Sequence, residues 1–336
     1  MKLATLNNGT PDGQLVVLSA DGSRCAPANG IAATLQAALA QWSDAEPALR
    51  ALEARLDAGL APEAQPFDAA SALAPLPRAW QWLDGSAFQA HGDLMSTVFG
   101  MDKHSYDTRP LMYQGLSDRF LPGQADVPLP SEADGIDFEG EFGVITDTVP
   151  MGVSPAEAAR HIRLVVLIND WSLRRIAPIE MQTGFGWIQA KPASAIAPIA
   201  VTPDELGAGW ADNRVQLRLQ VDWNGQRFGL AHAGQMAFSF SQLVAHAAYS
   251  RELVAGTVIG SGTVSNPTYR EVGSSCIAER RAIEMLDEGA ARTSYMHFGD
   301  RVRMEALHED GRPAPFGLID QQVVAAAGSA AAPKVA

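Results

Sequence analysis

The chain has 336 residues, 47% hydrophobic and 19% charged, which is typical of a packed globular protein of about two domains. A formal net charge of −13 excludes the extended basic surface that nucleic-acid binding requires. Two cysteines cannot build a disulfide framework, and the apolar runs are too short for a secretory signal or a membrane span. We therefore expect a cytoplasmic protein in a reducing compartment, without nucleic-acid or membrane partners.

Residues 1–78 predict a small N-terminal α+β domain. Two strands are expected at about Lys2–Leu6 and Gln14–Leu18, joined by a turn rich in Asn and Gly. Apolar residues at helical spacing predict two helices within 31–56, with a break at 43–47. The Pro- and Ala-rich stretch 60–77 predicts a linker to the main domain.

Residues 79–325 predict a second domain dominated by strands. The runs 138–146 and 164–168 suit buried strands, and a capping box that begins at Ser154 predicts a short helix between them. The alternating segment 214–222 leads into Asn224-Gly225, a strong hairpin signal.

A second hairpin is expected within 300–324, turning at Asp310-Gly311, and short helices are expected near 241–250 and 279–288. No βαβ alternation is visible, so the pattern favours an α+β fold with a mostly antiparallel sheet over a doubly wound sheet. Residues 326–336 are expected to form a flexible tail.

The segment from Asp137 to Val144 is the most informative one for chemistry. Glu139 and Glu141, two apart in a predicted strand, point to the same face and repel each other. A hard divalent cation such as Mg²⁺, Ca²⁺ or Mn²⁺ between them would offset that repulsion. The alternative interpretation is a solvated sheet edge.

Two other segments carry an acid with an ordinary alternative. Asp170 follows an apolar strand, where rigid scaffolds commonly place functional groups, but it is equally compatible with an Asx-turn or helix cap partnered by Arg174. Asp84 precedes His91 by seven residues, so two helical turns or one loop would bring them to one pocket. The alternative there is an ordinary helix surface.

A lysine, a glycine-rich turn and a glutamate complete the candidates. Lys191 follows a run almost free of charge, which indicates either a buried ammonium with carboxylate partners or a surface lysine. The turn 260–267 allows close backbone approach to a ligand but lacks the ending of a phosphate loop. Glu279 is either a helix-start acid or the partner that orients a catalytic histidine.

Taken in chain order, these signals resemble a known family over residues 80 to 325. The residues that carry the resemblance are Asp84 with His91, Tyr113, Glu139-Gly140-Glu141, Asn169-Asp170-Trp171-Ser172, Lys191, Gly262-Thr263-Val264-Ser265 and Glu279. The family is that of fumarylacetoacetate hydrolase. The first 80 residues resemble the N-terminal domain of its bacterial members less distinctly.

The resemblance implies a mixed β-roll preceded by a small α+β domain, a homodimer, and one bound Mg²⁺, Ca²⁺ or Mn²⁺. It implies cation ligands at Asp84, Glu139, Glu141 and Asp170. It implies a catalytic dyad of His91 and Glu279, an active-site lysine at Lys191, and substrate contacts at Tyr113 and Thr263.

The activity implied is hydrolysis of a C–C bond in a 1,3-diketo acid, such as fumarylacetoacetate or an acylpyruvate, in the catabolism of aromatic amino acids and related compounds. One alternative is a family decarboxylase, hydratase or isomerase acting on oxaloacetate or 2-keto-enoates. Another is a non-catalytic binding protein. Three positions depart from fumarylacetoacetases proper, because Ser86, Ala177 and Met181 stand where polar substrate contacts are expected.

Overall fold

A computed structural model describes residues 1–99 and 109–328 of the chain. Its strands are β1 Lys2–Leu6, β2 Gln14–Leu18, β3 Arg24–Pro27, β4 Gln65–Pro66, β5 Gln81–Gly85, β6 Met112–Gly115, β7 Leu121–Pro122, β8 Val127–Leu129, β9 Ile136–Asp137, β10 Gly140–Thr146, β11 Ile162–Asn169, β12 Ser172–Leu173, β13 Ala195–Ile196, β14 Ala200–Val201, β15 Trp210–Ala211, β16 Arg214–Val215, β17 Arg218–Trp223, β18 Gln226–His232, β19 Thr257–Gly260, β20 Arg301–Leu307 and β21 Ile319–Ala325. Its α-helices are α1 Leu35–Ala40, α2 Trp42–Asp57, α3 Gln89–Phe99, α4 Pro155–Ala158, α5 Ala177–Met181, α6 Phe240–Ala247, α7 Tyr269–Val272 and α8 Ile277–Glu288.

Two larger sheets organise the described residues. The first has twelve strands, ordered β4-β3-β2-β1-β14-β11-β10-β19-β5-β6, with β13 and β7 attached beside β11. The second has five strands, ordered β18-β17-β20-β21-β8. Most neighbours are antiparallel, although β5 and β19 run parallel. The predicted α+β class with a mostly antiparallel sheet system is therefore confirmed.

The first 78 residues share the large sheet with the rest of the chain. Strands β1 and β2 have the predicted bounds, and β1 pairs with β14 through Lys2 and Val201. The predicted helix break is wrong by a few residues, because α1 ends at Ala40 and Gln41 separates it from α2. Pro47 lies inside α2, where it cannot donate the backbone hydrogen bond that the helix would otherwise form. The helix continues because burial of its apolar face in the core stabilises it by more than that hydrogen bond would.

The stretch 60–77 is more than a linker, since its short strand β4 pairs with β3. The segment 214–222 is two strands rather than one, interrupted between β16 and β17. Both predicted hairpins are confirmed. Asn224 and Gly225 both have positive φ, of 50° and 76°, and β20 pairs antiparallel with β21. Of the predicted tail, residues 329–336 lie outside the described residues, and the division at residue 78 stays a prediction.

Apolar residues fill both faces of the large sheet. Phe142 and Val144 of β10 join a core that includes Leu219 of the second sheet. Ile145 joins a second core that includes Leu49 of α2. This alternation follows the two-residue period of a strand and leaves the strand ends, rather than the faces, for polar side chains. Among the described residues no helix is both long and apolar enough to cross a bilayer.

One close approach between backbones tests this packing. A Cβ on Gly229 of β18 would lie 2.2 Å from the carbonyl oxygen of Ser274. We expect Gly229→Ala to lower the free energy of unfolding by about 1–3 kcal/mol or more, because backbone cannot yield easily. Urea titration measures this, with Gln226→Ala, an exposed position on the same strand, as the control that stays within about 0.5 kcal/mol. Equal stabilities would contradict the contact.

Candidate active site

Three carboxylates meet at one edge of the large sheet. Asp84 lies near the end of β5, Glu141 near the start of β10, and Asp170 directly after β11. Because β11 and β19 run antiparallel to β10, and β5 runs parallel to β19, these ends fall at the same edge. The sheet topology therefore gathers acids that are far apart in sequence.

The three acids form a group that fits a single cation. One carboxylate oxygen from each of Asp84, Glu141 and Asp170 lies within 4.8 Å of the others, and all three residues are buried. Oxygen ligands that share a Mg²⁺ or Ca²⁺ ion, at about 2.0–2.6 Å each, are at most about 4–5 Å apart. The spacing and the all-oxygen donor set both suit a hard divalent cation.

The buried carboxylate of Glu141 has no positive partner in the part of the chain that the structure describes. Both of its carboxylate oxygens are buried without a hydrogen-bond partner among the described residues. Burial, together with the charges of Asp84 and Asp170, raises the pKa of Glu141 well above its ordinary value. Burial and the charge of Asp170 likewise raise the pKa of Asp84. A positive ion beside them would remove this penalty and keep both groups ionised.

Asp170 is held by three donors. Its Oδ2 accepts hydrogen bonds from Lys191 Nζ at 2.6 Å and from the Tyr113 hydroxyl, and its Oδ1 accepts one from Ser194 Oγ at 2.6 Å. Lys191 is buried, so the surface-lysine alternative is wrong. Burial would lower the pKa of Lys191, but the charges of Asp170 and Glu139 outweigh it and raise that pKa above the usual value.

Glu139 is engaged differently from Glu141. Its Oε1 accepts hydrogen bonds from Ser172 Oγ at 2.5 Å and from Lys191 Nζ at 2.8 Å. The same oxygen lies 2.9 Å from a guanidinium nitrogen of Arg174. Its Oε2 accepts a hydrogen bond from Thr263 Oγ1 at 2.6 Å. Burial would raise its pKa, yet Arg174 and Lys191 hold that pKa below its usual range. Glu139 stands outside the three-acid group, so its role as a fourth ligand stays a prediction.

The solvated-edge and Asx-turn alternatives are wrong for these segments. Glu139 and Glu141 are both buried. Arg174 pairs with Asp137 and Glu139, and Asp170 instead meets Lys191.

The predicted dyad forms between two helices. His91 Nδ1 lies 2.7 Å from Glu279 Oε2, and Glu279 is fully buried. The two residues stand in the first turns of α3 and α8, which pack through Leu94, Ala282 and Ile283. A proton on Nδ1 is donated to Glu279 Oε2 and leaves Nε2 as an acceptor, the state a general base needs. The other oxygen, Glu279 Oε1, is buried without a partner in the described part of the chain. Glu279 is thus both a helix-start acid and the partner of His91.

Asp137, to which the sequence pattern assigned no role, connects the dyad to the acidic cluster. Its Oδ1 accepts from Ile277 N at 2.7 Å and its Oδ2 from Ala278 N at 2.9 Å, so it caps α8 two residues before Glu279. Its Oδ2 also accepts from Arg174 Nε at 2.8 Å. The acid one position before Phe138 was the available signal, but the helix it caps begins 140 residues later.

The glycine-rich turn closes against the end of β5. Gly262 N donates to Asp84 Oδ1 at 3.1 Å. Gly262 has φ 77°, and a Cβ there would lie 2.4 Å from the carbonyl oxygen of Gly85. Glycine is therefore required at this position, and the turn brings Thr263 to Glu139.

The predicted substrate side is partly apolar. Ser86 is half-buried beside the acids, Ala177 begins α5, and Met181 is exposed at the end of that helix. Trp187, which the sequence analysis did not single out, packs on Tyr113 with ring centroids 4.7 Å apart. An aromatic in a glycine-rich loop four residues before Lys191 was the signal for it.

Comparisons with known proteins agree with this arrangement. Residues 81–324 match the model of the fumarylacetoacetate (FAA) hydrolase C-terminal domain, and residues 1–78 match fumarylacetoacetase N-terminal domain 2. The 2,4-didehydro-3-deoxy-L-rhamnonate hydrolase of a Sphingomonas species is 26% identical over 204 residues, 58% of this chain and 69% of that protein. The chain spans about half the length of further hydrolase-named relatives from Burkholderia ambifaria, 47% in each case.

Solved structures share the fold. A 5-carboxymethyl-2-hydroxymuconate delta-isomerase from Mycobacterium smegmatis covers 97% of this chain and 99% of its own, with a TM-score of 0.56 and 18% identity. A fumarylpyruvate hydrolase from Pseudomonas aeruginosa, in complex with Mn²⁺ and pyruvate, covers 74% of this chain and 91% of its own, with a TM-score of 0.52 and 13% identity. With the family model matching residues 81–324, this chain belongs to the fumarylacetoacetate hydrolase family.

Proposed function

We propose that the chain is a divalent-cation-dependent hydrolase that cleaves a C–C bond in a 1,3-diketo acid, such as fumarylacetoacetate or an acylpyruvate. The observation that carries the proposal is a His91–Glu279 dyad joined to a buried acidic cluster that contains a lysine. The backbones of Glu139 and Cys276 form an antiparallel β-bridge directly before α8. This bridge connects the helix that carries Glu279 to the segment that carries Glu139 and Glu141.

A cation fits the site, because Glu141 presents two buried oxygens without partners beside Asp84 and Asp170. We propose these three residues as its ligands, with Glu139 as a fourth, and Mg²⁺, Ca²⁺ or Mn²⁺ as the ion. When bound, such an ion supplies Lewis-acid polarisation and a template for two substrate oxygens. The neighbouring structure with Mn²⁺ and pyruvate supports a cation of this class.

The chain's own residues account for the proton transfers. His91 Nε2 takes a proton from water, whose oxygen bonds to one substrate carbonyl carbon, while Glu279 stabilises the imidazolium that forms. Lys191 uses two of its three N–H donors on Glu139 and Asp170, so the third is left to stabilise the oxyanion. When the C–C bond breaks, its electron pair stays with the leaving carbon, which takes the proton back from His91.

An isomerase, hydratase or decarboxylase that acts on 2-keto-enoates or oxaloacetate is the second candidate. The observation that favours it is the isomerase whose structure aligns with nearly the whole chain. The His91–Glu279 dyad favours the activities that activate a water, hydrolysis or hydration, over decarboxylation, because activating a water requires a positioned base. We also retain the homodimer as a proposal.

A substrate panel decides between these activities. With Mg²⁺, Mn²⁺ or Ca²⁺ present, we expect fumarylacetoacetate or an acylpyruvate to yield two carboxylate-bearing or ketonic fragments, detected by NMR. Carbon dioxide from oxaloacetate, or a rearranged keto-enoate without cleavage of diketo acids, would replace the proposal by the second candidate. A cation-loaded sample that is inert to every compound would favour a binding protein.

Replacing the base tests the dyad. We expect His91→Ala to lower kcat by about 10²–10⁴-fold, since proton abstraction from water is lost. Cation affinity, measured by calorimetry, stays unchanged because His91 is not among the proposed ligands. The matched control is His161→Ala: His161 makes the same 2.7 Å contact, with Asp147, away from the cluster, and its loss leaves kcat unaltered. A His91→Ala enzyme with the parent rate would refute the base assignment.

Neutralising Glu141 tests the cation site, because we expect it to weaken cation binding but to stabilise the cation-free protein. We expect Glu141→Gln to weaken binding of Mg²⁺ or Mn²⁺ by about 10- to 100-fold or more, because a ligand charge is lost. Without cation the same variant melts at a higher temperature than the parent, because the amide carries no charge to repel the buried carboxylates of Asp84 and Asp170. Calorimetry and thermal melts measure both, and the control is Glu305→Gln on β20, whose carboxylate lies 2.8 Å from Arg303. Unchanged cation affinity would exclude Glu141 as a ligand. The cation affinity of Glu139→Gln tests Glu139 as a ligand in the same way.

A further inference from the structure

The loop between α5 and Lys191 turns one large side chain inward. Phe185 and Ile188 are 97% and 85% exposed, whereas Trp187 between them is partly buried. Gly184 and Gly186 have φ of 72° and 97°, a backbone conformation that glycine adopts without strain. Of these three large apolar side chains, only that of Trp187 is partly covered by the protein.

A buried end of this loop fixes both Trp187 and Lys191. The carboxylate of Glu180 accepts hydrogen bonds from the backbone N–H groups of Ile188, Gln189 and Ala190, at 2.9–3.1 Å. The carbonyl oxygen of Ala190 accepts from the N–H of Leu173, on the strand that follows Asp170. The indole is therefore held in a defined place relative to the lysine ammonium.

Two aromatic rings flank that ammonium. Lys191 Nζ lies 5.3 Å from the centroid of the Tyr113 ring and 5.5 Å from that of Trp187, and the rings are tilted by 46°. A substrate carbonyl that accepts the third N–H of Lys191 has its oxygen about 3 Å from Nζ. Both rings are then within reach of the group attached to that carbonyl.

We infer that Trp187 is a specificity-determining residue that selects substrates whose acyl group is planar and conjugated. The inference rests on the proposed function. It specifies which kind of substrate acyl group binds beside Lys191. A flat enoyl chain stacks on an indole, whereas a saturated chain of the same length offers fewer contacts, and aromatic stacking contributes about 0.5–1.5 kcal/mol, or about 2- to 10-fold in affinity.

The test compares two dicarboxylates of equal length, fumarate and succinate, as probes of the acyl subsite. Calorimetry on the Mg²⁺- or Mn²⁺-loaded protein should show fumarate bound about 2- to 10-fold more tightly. Trp187→Ala removes this preference and Trp187→Phe retains it. Phe185→Ala is the matched control, since Phe185 belongs to the same loop but is exposed, and it keeps the parent preference.

Turnover gives an independent readout. The kcat/KM ratio between a fumaryl- and a succinyl-substituted diketo acid should fall by the same 2- to 10-fold in Trp187→Ala, with the change mainly in KM. Equal weakening of both probes in Trp187→Ala, a parent protein without preference, or no binding of either probe would overturn the inference. Discrimination in binding without turnover of any diketo acid would instead refute the proposed function and leave the selectivity of Trp187 standing.

Discussion

The repulsion among buried carboxylates at one sheet edge is the constraint on which the rest of the site depends. Asp84, Glu139, Glu141 and Asp170 are all buried, and ionised carboxylates are costly to bury unless they are paired. Lys191 sits between two of them, at 2.6 and 2.8 Å, and gives the negative charge a permanent partner. The serine, threonine and tyrosine hydroxyls and the charged side chains of Lys191 and Arg174 stabilise these buried negative charges.

The cluster divides into two halves with different chemistry. Glu139 accepts from two hydroxyls and faces two cations, so the protein alone satisfies it. Glu141, two residues further along, has no such partner among the described residues, which leaves both of its oxygens open to a ligand. As the proposed fourth ligand, Glu139 would share its oxygens with Lys191, whereas Glu141 offers both of its oxygens to a ligand. The Glu-x-Glu spacing alone therefore does not reveal how differently the two glutamates are partnered.

Local patterns predicted those parts of the fold that local physics determines. The capping box at Ser154 and the hairpin turn at Asn224-Gly225 occur where the sequence places them, because each depends on a few adjacent residues. The helix break near Pro47 was misplaced, since the packing of α2 outweighs the preference of proline. The candidate acids were found by their order along the chain. Their mutual distances could not be predicted, because they follow from which strands become neighbours.

The residues that sequence reasoning missed act over long separations. Asp137 caps a helix 140 residues away and bonds Arg174, and neither partner is implied by the residues beside it. This link has a mechanical consequence. The helix that carries Glu279 is fixed by the same arginine that faces Glu139, so the orientation of the dyad and the charge of the cluster are not independent. The proposed base and the lysine side of the cluster are therefore linked by one continuous network of hydrogen bonds and ion pairs.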